Sequence, residues 1–438
     1  MRATTPIVSV ILDDRRIVEL LYDPAKGATA LAVGHPDGQA SVEPYVDLPN
    51  GDRLTPYSAD NALITSGCVL LPSAIGQPAE IEELVAAIRA FLFRYVDLPG
   101  TFEAIAAYYV LLSWVYDAFS DLPYLRFRGD FGTGKTRALL TIGSLCYKPF
   151  FASGASTVSP IFHIQDAFRG TLVLDEADFR FSDAAAQLTK ILNNGTTAGM
   201  PVLRTMTNRN RELHPHAFRV FGPKIVAMRE RFSDLALESR LLTFETSGRT
   251  VRDDIPIHLP ELFHVEAREL RNRLLAWRMR SRFSVGPDPS RAAQGLAARY
   301  RQSSLALLSL IDDAEVRLAI TRELAGEEAR VLYERADTLE AAMLSAIAEA
   351  FDAATGPHAS ISEIAVRFNL ASAKELGRAM TNKWVGGFIR KRLHLATLKT
   401  GGVYVVPATE RGKLPVLLAR AGISPPLSPA VTEEGVPS

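Results

Sequence analysis

The stretch that most constrains this chain of 438 residues is Gly129-Asp130-Phe131-Gly132-Thr133-Gly134-Lys135-Thr136. It fits the phosphate-binding pattern G-x-x-x-x-G-K-[ST]. The aromatic and apolar run Tyr124 to Arg128 precedes it and predicts a strand, and the residues from Arg137 onward predict a helix. Glycines let such a loop wrap a phosphate with its backbone N–H groups, while the positive end of the following helix points at the same phosphate. The alternative is a Gly-rich turn that contains a Lys-Thr pair by chance.

A nucleotide site of this kind assigns a role to each residue type. Lys135 reaches the β- and γ-phosphates, and the Thr136 hydroxyl binds Mg²⁺. The expected ligands are therefore ATP and Mg²⁺. The predicted nucleotide-binding residues are Gly129, Asp130, Phe131, Gly132, Thr133, Gly134, Lys135, Thr136 and Arg137.

A second nucleotide signal follows about forty residues downstream, in the run Thr171 to Glu176. A short apolar run that ends in Asp-Glu predicts a buried parallel strand that delivers two carboxylates to the carboxyl edge of a sheet, where ligands bind in open α/β sheets. We expect Asp175 to hold Mg²⁺ and Glu176 to polarise the attacking water as a general base. The alternative is a strand that ends in a solvated acidic turn.

Composition limits the other function classes. The chain has 49 basic and 49 acidic residues, so only local clusters could attract nucleic acid. Its two cysteines, Cys68 and Cys146, have no metal-ligand spacing and form no disulfide framework, which favours a reducing, cytoplasmic location. The longest apolar stretch, residues 104–119, is too short to span a bilayer, so no membrane contact is expected.

The pattern of elements predicts several domains around an α/β core with a parallel sheet. Residues 1–75 are β-rich and suggest a small accessory or assembly domain. Residues 76–250 combine a helical lead-in with the nucleotide core, and residues 251–335 are helical. Residues 336–410 form a further domain, and the tail 411–438 is expected to be partly disordered.

Two predicted strands around residues 200–221 suggest a long β-hairpin. Its arms and tip carry Arg204, Arg209, Arg211 and Arg219, against the single acid Glu212. One interpretation is a loop that contacts a nucleic-acid backbone through its guanidinium groups. The other is a solvated turn whose arginines pair with carboxylates at a subunit interface. The sequence leaves both open.

Taken together, these motifs resemble the AAA+ ATPases, and more narrowly the minichromosome-maintenance-like and superfamily-3-like replicative helicases of phages and other mobile elements. The resemblance is carried by the loop 129–136, the strand 172–176, the run 222–227 and the run 235–240. It implies a helical lid over residues 251–335 and a ring, expected to be a hexamer. It also implies that Arg240 acts as an arginine finger in the neighbouring subunit's site. The alternative is an Arg that caps the carbonyls at the end of its own helix.

One departure from the family concerns the strand that follows the hairpin. Such strands typically end in Asn or Thr, whereas this one ends Ala227-Met228-Arg229. Either Lys224 or Arg229 could take over the role of sensing the nucleotide.

The C-terminal domain has helices followed by a Gly-tipped hairpin, an order that resembles a winged helix-turn-helix. No acid occurs between Glu375 and Glu410. This basic stretch predicts a phosphate-binding surface, although winged helices also serve protein contacts. The predicted DNA-binding residues are Arg204, Arg209 and Arg211 on the hairpin and Lys383, Arg390, Lys391, Arg392 and Lys399 here.

The sequence therefore predicts an ATP-driven DNA helicase or translocase that works as a ring in the replication of a phage or other mobile element. One alternative is an AAA+ helicase loader or an ATP-dependent regulator of DNA transactions. Another is a non-catalytic DNA-binding protein whose ATP site is a relic.

Overall fold

The computed structural model describes residues 3–154, 156–175, 183–207, 213–232, 234–246, 251–336, 338–376 and 379–423. Glu176, Arg209 and Arg211 lie outside these residues. The chain divides into two compact units, Met1–Leu324 and Ala325–Ser438. Among the described residues, no helix combines the length and the apolar character needed to cross a bilayer.

The first unit begins with two small sheets. Strands β2 (Ser9–Ile11), β3 (Ile17–Asp23), β4 (Ala28–Gly34) and β5 (Ala40–Glu43) form an antiparallel sheet in chain order. Strands β1 (Thr4–Ile7), β7 (Arg53–Pro56) and β6 (Val46–Asp47) form the other in the order β1-β7-β6. The buried Leu21 and Ala32 belong to the same apolar cluster as Trp114 and Ile142, which lie on helices next to the central sheet. These sheets therefore share their hydrophobic core with the rest of the unit.

Three helices precede the central parallel sheet in the chain. They are α1 (Ala62–Thr65), α2 (Ile81–Tyr95) and α3 (Gly100–Trp114). Helix α2 buries one stripe, which includes Leu84, Ile88 and Leu92, as its helical periodicity predicts. Helix α3 is apolar all round and almost completely buried, which makes it a central support of the fold.

A five-stranded parallel sheet forms the core and confirms the predicted α/β class. Its strands are β8 (Tyr124–Arg128), β9 (Phe150–Ser153), β10 (Leu172–Asp175), β13 (Lys224–Met228) and β14 (Leu241–Glu245). They lie in the order β14-β8-β13-β10-β9, and every neighbouring pair is parallel. The carboxyl ends of β8, β10, β13 and β14 therefore meet at one edge, with β8 near the point where the strand order reverses.

Within the described residues, the connections between these strands carry four helices and a hairpin. The helices are α4 (Lys135–Gly143), α5 (Val158–Phe168), α6 (Asp183–Asn194) and α7 (Leu235–Glu238), and strands β11 (Val202–Thr207) and β12 (Leu213–Phe218) pair antiparallel. The predicted hairpin is thus present between α6 and β13. Helices α8 (Glu261–Ser281), α9 (Ala298–Leu308) and α10 (Ala314–Ala336) follow β14.

A buried cluster of charges joins the N-terminal sheets to the core. Glu19 on β3 pairs with Lys148 at 2.6 Å and with Arg278 on α8 at 2.9 Å, and Tyr147 donates to it at 2.7 Å. Arg278 also pairs with Asp117 at 2.8 Å. Burial alone raises the pKa of Glu19, but the charges of Lys148 and Arg278 hold it below its ordinary value. Burial lowers the pKa of Lys148 to about 8.

The second unit has its own hydrophobic core. It contains α11 (Leu339–Ala353), α12 (Ile361–Leu376), α13 (Asn382–Lys391) and α14 (Leu414–Arg420). Strands β15 (Ala359–Ser360), β16 (Leu398–Thr400) and β17 (Val403–Val406) form a small antiparallel sheet in the order β15-β17-β16.

Candidate nucleotide site

The loop between β8 and α4 has the backbone that a phosphate cradle requires. Gly132 and Gly134 adopt φ values of 76° and 85°, a left-handed region that side chains disfavour. Gly134 precedes the first turn of α4, so the first N–H groups of that helix face the loop. The loop borders a cavity of about 300 Å³, which is lined by residues 131–137, Asp175 and residues 227–229.

Lys135 lies across the loop. Its ammonium donates to the carbonyl oxygens of Gly129 at 2.7 Å and Asp130 at 2.5 Å. These contacts hold the charge within the cradle. The oxygens of a polyphosphate carry full negative charge. They would therefore accept stronger hydrogen bonds from the Lys135 ammonium than these carbonyl oxygens do.

The two residues predicted to bind the metal are in direct contact. The Thr136 hydroxyl donates to Oδ2 of Asp175 at 2.7 Å, across the gap between α4 and the end of β10. A hydroxyl and a carboxylate are the hard oxygen ligands that Mg²⁺ prefers, so this pair fits that ion. Glu176, the predicted general base, directly follows Asp175 in the chain and lies outside the described residues.

Other side chains at this edge were not predicted. Thr246, which follows β14, is buried and shares a hydrogen bond with the Thr133 hydroxyl at 2.6 Å. Its backbone N–H donates to the Arg128 carbonyl at 2.7 Å, which fixes the start of the loop. Only the parallel pairing of β14 with β8 brings Thr246 here, and a sequence motif does not reveal that pairing.

Arg137 and Phe131, both predicted to bind nucleotide, differ in their surroundings. Arg137 donates to the carbonyls of Pro256 at 2.8 Å and Ile257 at 2.6 Å, so its guanidinium supports the segment after β14. Phe131 is 86% exposed and lines the cavity. Its ring is available to a ligand that enters there.

The two candidate sensing residues lie at opposite ends of β13. Arg229, directly after the strand, lines the cavity. Lys224, at the start of the strand, is completely buried and donates to the carbonyls of Val220 at 2.7 Å and Gly222 at 3.0 Å. Desolvation lowers the pKa of Lys224 well below its ordinary value. Of the two, only Arg229 is placed to meet a nucleotide at this loop.

Arg240 lies at the edge of the sheet opposite the loop. It precedes β14, where Leu241 is level with Tyr124 at the start of β8, and its carbonyl accepts from the Tyr124 N–H at 2.9 Å. Its guanidinium donates to the Asn193 carbonyl at 3.2 Å. Arg240 and Arg299 line one small crevice there. Five strand residues, roughly 16 Å, separate this edge from the loop of the same chain.

The predicted DNA-binding arginines of the hairpin are only partly described. Arg204 on β11 is half-buried, donates to Oε1 of Gln187 at 2.6 Å and lies 4.3 Å from the centre of the Phe162 ring. Its side chain therefore packs against the body of the unit. The opposite face of the hairpin exposes uncharged side chains, with Leu203 at 72% and Leu213 at 75%.

The five side chains of the second unit that are predicted to bind DNA are exposed. Lys383, Arg390 and Lys391 recur at helical spacing on one side of α13. Arg390 donates to the Thr397 hydroxyl at 2.8 Å, and Lys399 lies 5.8 Å from the Tyr404 ring on the adjoining hairpin. The remaining member of this predicted surface, Arg392, lies 3.9 Å from Glu340.

Comparison with solved structures gives low overall overlaps. The A-form apo structure of the NrS-1 C-terminal region is 11% identical over 89% of this chain and 96% of that chain, at a TM-score of 0.39. A full-length MCM homolog from Methanopyrus kandleri is 12% identical over 68% of each chain, at 0.34. The JCV helicase is 16% identical over 58% of this chain and 61% of that chain, at 0.24. No protein-family model and no curated protein matches the sequence.

An MCM homolog and a helicase are among these structures, and all three TM-scores are below 0.5.

Proposed function

We propose that this protein is an ATP-driven DNA helicase or translocase. The observation that carries the proposal is the contact of Thr136 with Asp175 beside a phosphate loop that already holds the Lys135 ammonium. Loop, hydroxyl and carboxylate meet at the carboxyl edge of a parallel sheet, where a nucleotide and its metal need them. Thr136 and Asp175 would hold a Mg²⁺ ion there, whose charge would offset that of the phosphates.

The chain's own residues would divide the remaining work. Backbone N–H groups of the loop and the start of α4 bind the phosphates, and Lys135 moves from the loop carbonyls to the terminal phosphates. Arg229 contacts the terminal phosphate from the end of β13. Glu176 orients the attacking water and accepts its proton.

The opposite placement of Arg240 supports a site shared between subunits. Because roughly 16 Å of strand separates Arg240 from its own loop, it acts on nucleotide held by a neighbouring copy. Arg299, in the same crevice, approaches the same neighbour. A closed ring, in the proposed form a hexamer, gives each loop such a neighbour.

DNA contact is assigned to two regions. The hairpin β11–β12 contacts the translocated strand through the tip residues Arg209 and Arg211. The second unit binds duplex as a winged helix, with α13 and the β16–β17 hairpin presenting their basic side chains to the phosphates. The host process that fits this combination is replication of a phage or another mobile element.

Phosphate release tests the proposal. The wild type is expected to hydrolyse ATP faster when DNA is added, and Lys135→Ala is expected to lose this activity. A matched control is Lys190→Ala, which removes a lysine from α6 outside the loop. DNA-stimulated hydrolysis by Lys135→Ala at the wild-type rate would contradict the proposal.

A helicase loader or ATP-dependent regulator is the second candidate. The packing of Arg204 against Phe162 and Gln187 favours it, because that guanidinium faces the protein and not the outer side of the hairpin. A strand-displacement assay separates the candidates. A motor unwinds a forked duplex in the presence of ATP, whereas a loader or regulator hydrolyses ATP and leaves the duplex intact.

A further inference from the structure

A buried ion pair links the strand that carries the phosphate loop to the helix before Arg240. Arg126, in the middle of β8, is fully buried, and its fork donates to both carboxylate oxygens of Glu238 at 2.5 and 2.9 Å. The Thr243 hydroxyl on β14 accepts from Nη2 of the same guanidinium at 2.9 Å and from its Nε at 3.1 Å. This two-point geometry fixes the orientation of Glu238 as well as its distance.

Glu238 collects further donors from the turn that leads into α7. The backbone N–H of Phe232 donates to it at 2.7 Å and Arg231 at 3.0 Å. Burial raises the pKa of Glu238, but the adjacent Arg126 lowers it below its ordinary value, so the carboxylate stays charged. The carboxylate of Glu238 therefore links β8, α7 and the turn before α7 through hydrogen bonds.

The residue that this cluster constrains is Arg240. It lies two positions after Glu238, and its backbone N–H and carbonyl are taken by Leu237 and Tyr124. Its guanidinium meets the end of α6 at Asn193, whose side chain donates to Asp234 at the start of α7. Movement of Glu238 would therefore shift Arg240 relative to the sheet.

We propose that Arg126 and Glu238 are positioning residues, which hold Arg240 at the angle required to reach the nucleotide of the neighbouring subunit. The inference rests on the proposed shared site and adds the residues that set its geometry. A purely stabilising role is a weaker explanation, because a well-packed apolar pair often stabilises a core as well as a buried ion pair does. The ion pair additionally fixes the orientation of Glu238, which apolar packing alone does not do.

Mixed assemblies provide the test. Lys135→Ala removes the nucleotide side of a shared site, and Arg240→Ala removes the side supplied by the neighbour. Each variant alone is expected to be inactive in ATP hydrolysis. An equal mixture regains activity at about a quarter of its interfaces, those that join an intact loop to an intact Arg240.

The same mixing experiment shows which side of the shared site Glu238 serves, the nucleotide side or the side that supplies Arg240. Alone, Glu238→Gln is expected to lower kcat at least about tenfold and to leave KM for ATP within about threefold, because its own loop is intact. Mixed with Lys135→Ala, it should regain activity as Arg240→Ala does. Mixed with Arg240→Ala, it should regain none, since neither variant supplies a positioned Arg240.

Each departure has a distinct meaning. If Lys135→Ala and Arg240→Ala do not complement each other, the shared site itself is wrong. If they complement each other but Glu238→Gln is rescued by Arg240→Ala, Glu238 serves the nucleotide side and the positioning role is refuted. Wild-type activity of Glu238→Gln alone refutes it as well.

Two further variants keep the test decisive. Glu103→Gln breaks a partly buried ion pair with Arg89, 2.8 Å long, and should retain activity without mixing. If Glu238→Gln does not fold, the double variant Arg126→Met/Glu238→Met removes both charges and avoids an unpaired buried ion. It should fold and behave in mixtures as Arg240→Ala does, and full activity of this double variant alone would overturn the inference.

Discussion

Glu19 is expected to stabilise the packing of the N-terminal sheets against the central sheet and its helices. The substitution Glu19→Gln removes its charge and so measures the contribution of its ion pairs to the free energy of unfolding. The carboxylate is 1% exposed and pairs with Lys148 and Arg278. Loss of the charged hydrogen bond to Arg278 costs about 1.5–3 kcal/mol. The contribution of Lys148 is limited, because its pKa of about 8 allows the amine to lose its proton at pH 7 at a cost of about 1 kcal/mol. The free energy of unfolding should therefore fall by about 3–4 kcal/mol at pH 7.

The same reasoning fixes the sign of the pH dependence. The Lys148 pKa is about 8 in the fold with Glu19 present and falls further when Glu19 is neutralised. Below pH 8 the wild-type fold therefore binds a proton that the variant loses. Above pH 8 neither fold binds it, so the deficit of Glu19→Gln should shrink by about 1 kcal/mol between pH 7 and pH 9.

Urea unfolding provides the assay. Trp114 and Trp277 report on the first unit when Trp384 in the second is replaced by Phe. Glu19→Gln should lower the midpoint with an unchanged slope, and Glu19→Gln/Lys148→Met should recover part of the loss, because Arg278 keeps Asp117. A Glu19→Gln variant within about 1 kcal/mol of the wild type at pH 7 would refute the role of this cluster as a structural joint.

Three further outcomes follow from the structure. Asp175→Asn should keep ATP-analogue binding within about tenfold but lose most phosphate release at any Mg²⁺ level, and normal turnover at high Mg²⁺ would contradict the metal role. Arg390→Gln/Lys391→Gln should weaken DNA binding and reduce the slope of log affinity against log salt by about 2, whereas an unchanged slope would place DNA elsewhere. Gly387→Ala should raise the melting temperature of the second unit, because a Cβ there meets nothing within 4 Å and alanine favours helix by about 1 kcal/mol; a lower melting temperature would mean that α13 is packed on that side.

Local patterns in the sequence were sufficient to predict which residues meet at the carboxyl edge of the parallel sheet. The loop at 129–136 and the strand that ends at Asp175 each carry a motif, and the parallel sheet brings the two ends together. The sheet class itself follows from the alternation of strands and helices. These features depend on short stretches of chain, which a reading of the sequence can recognise.

Contacts between distant segments were not predictable in this way. Glu19 and Arg278 are 259 residues apart, and Arg126 and Glu238 are 112 apart. From the sequence alone, a Glu or an Arg within a strand is expected to be solvated, because its distant partner cannot be identified. The same holds for Lys224, whose charge suggested a nucleotide contact although the fold buries it at the far edge.

The hairpin shows that the sequence did not predict on which face of a strand a side chain lies. Its two strands were predicted from alternating residues, and they pair as expected. The side of the hairpin on which Arg204 lies depends on register, since a shift of one residue exchanges the two faces. The observed register turns Arg204 toward Phe162 and exposes Leu203, which the composition of the strand did not reveal.

The central claim is that ATP is hydrolysed in a site completed by a neighbouring copy of the chain. Phosphate release per protomer, measured across a dilution series together with the mass distribution of the same samples, tests it most directly. The account predicts that activity per protomer vanishes as the assemblies dissociate and returns as they re-form. Full activity in samples that contain only single protomers would contradict it.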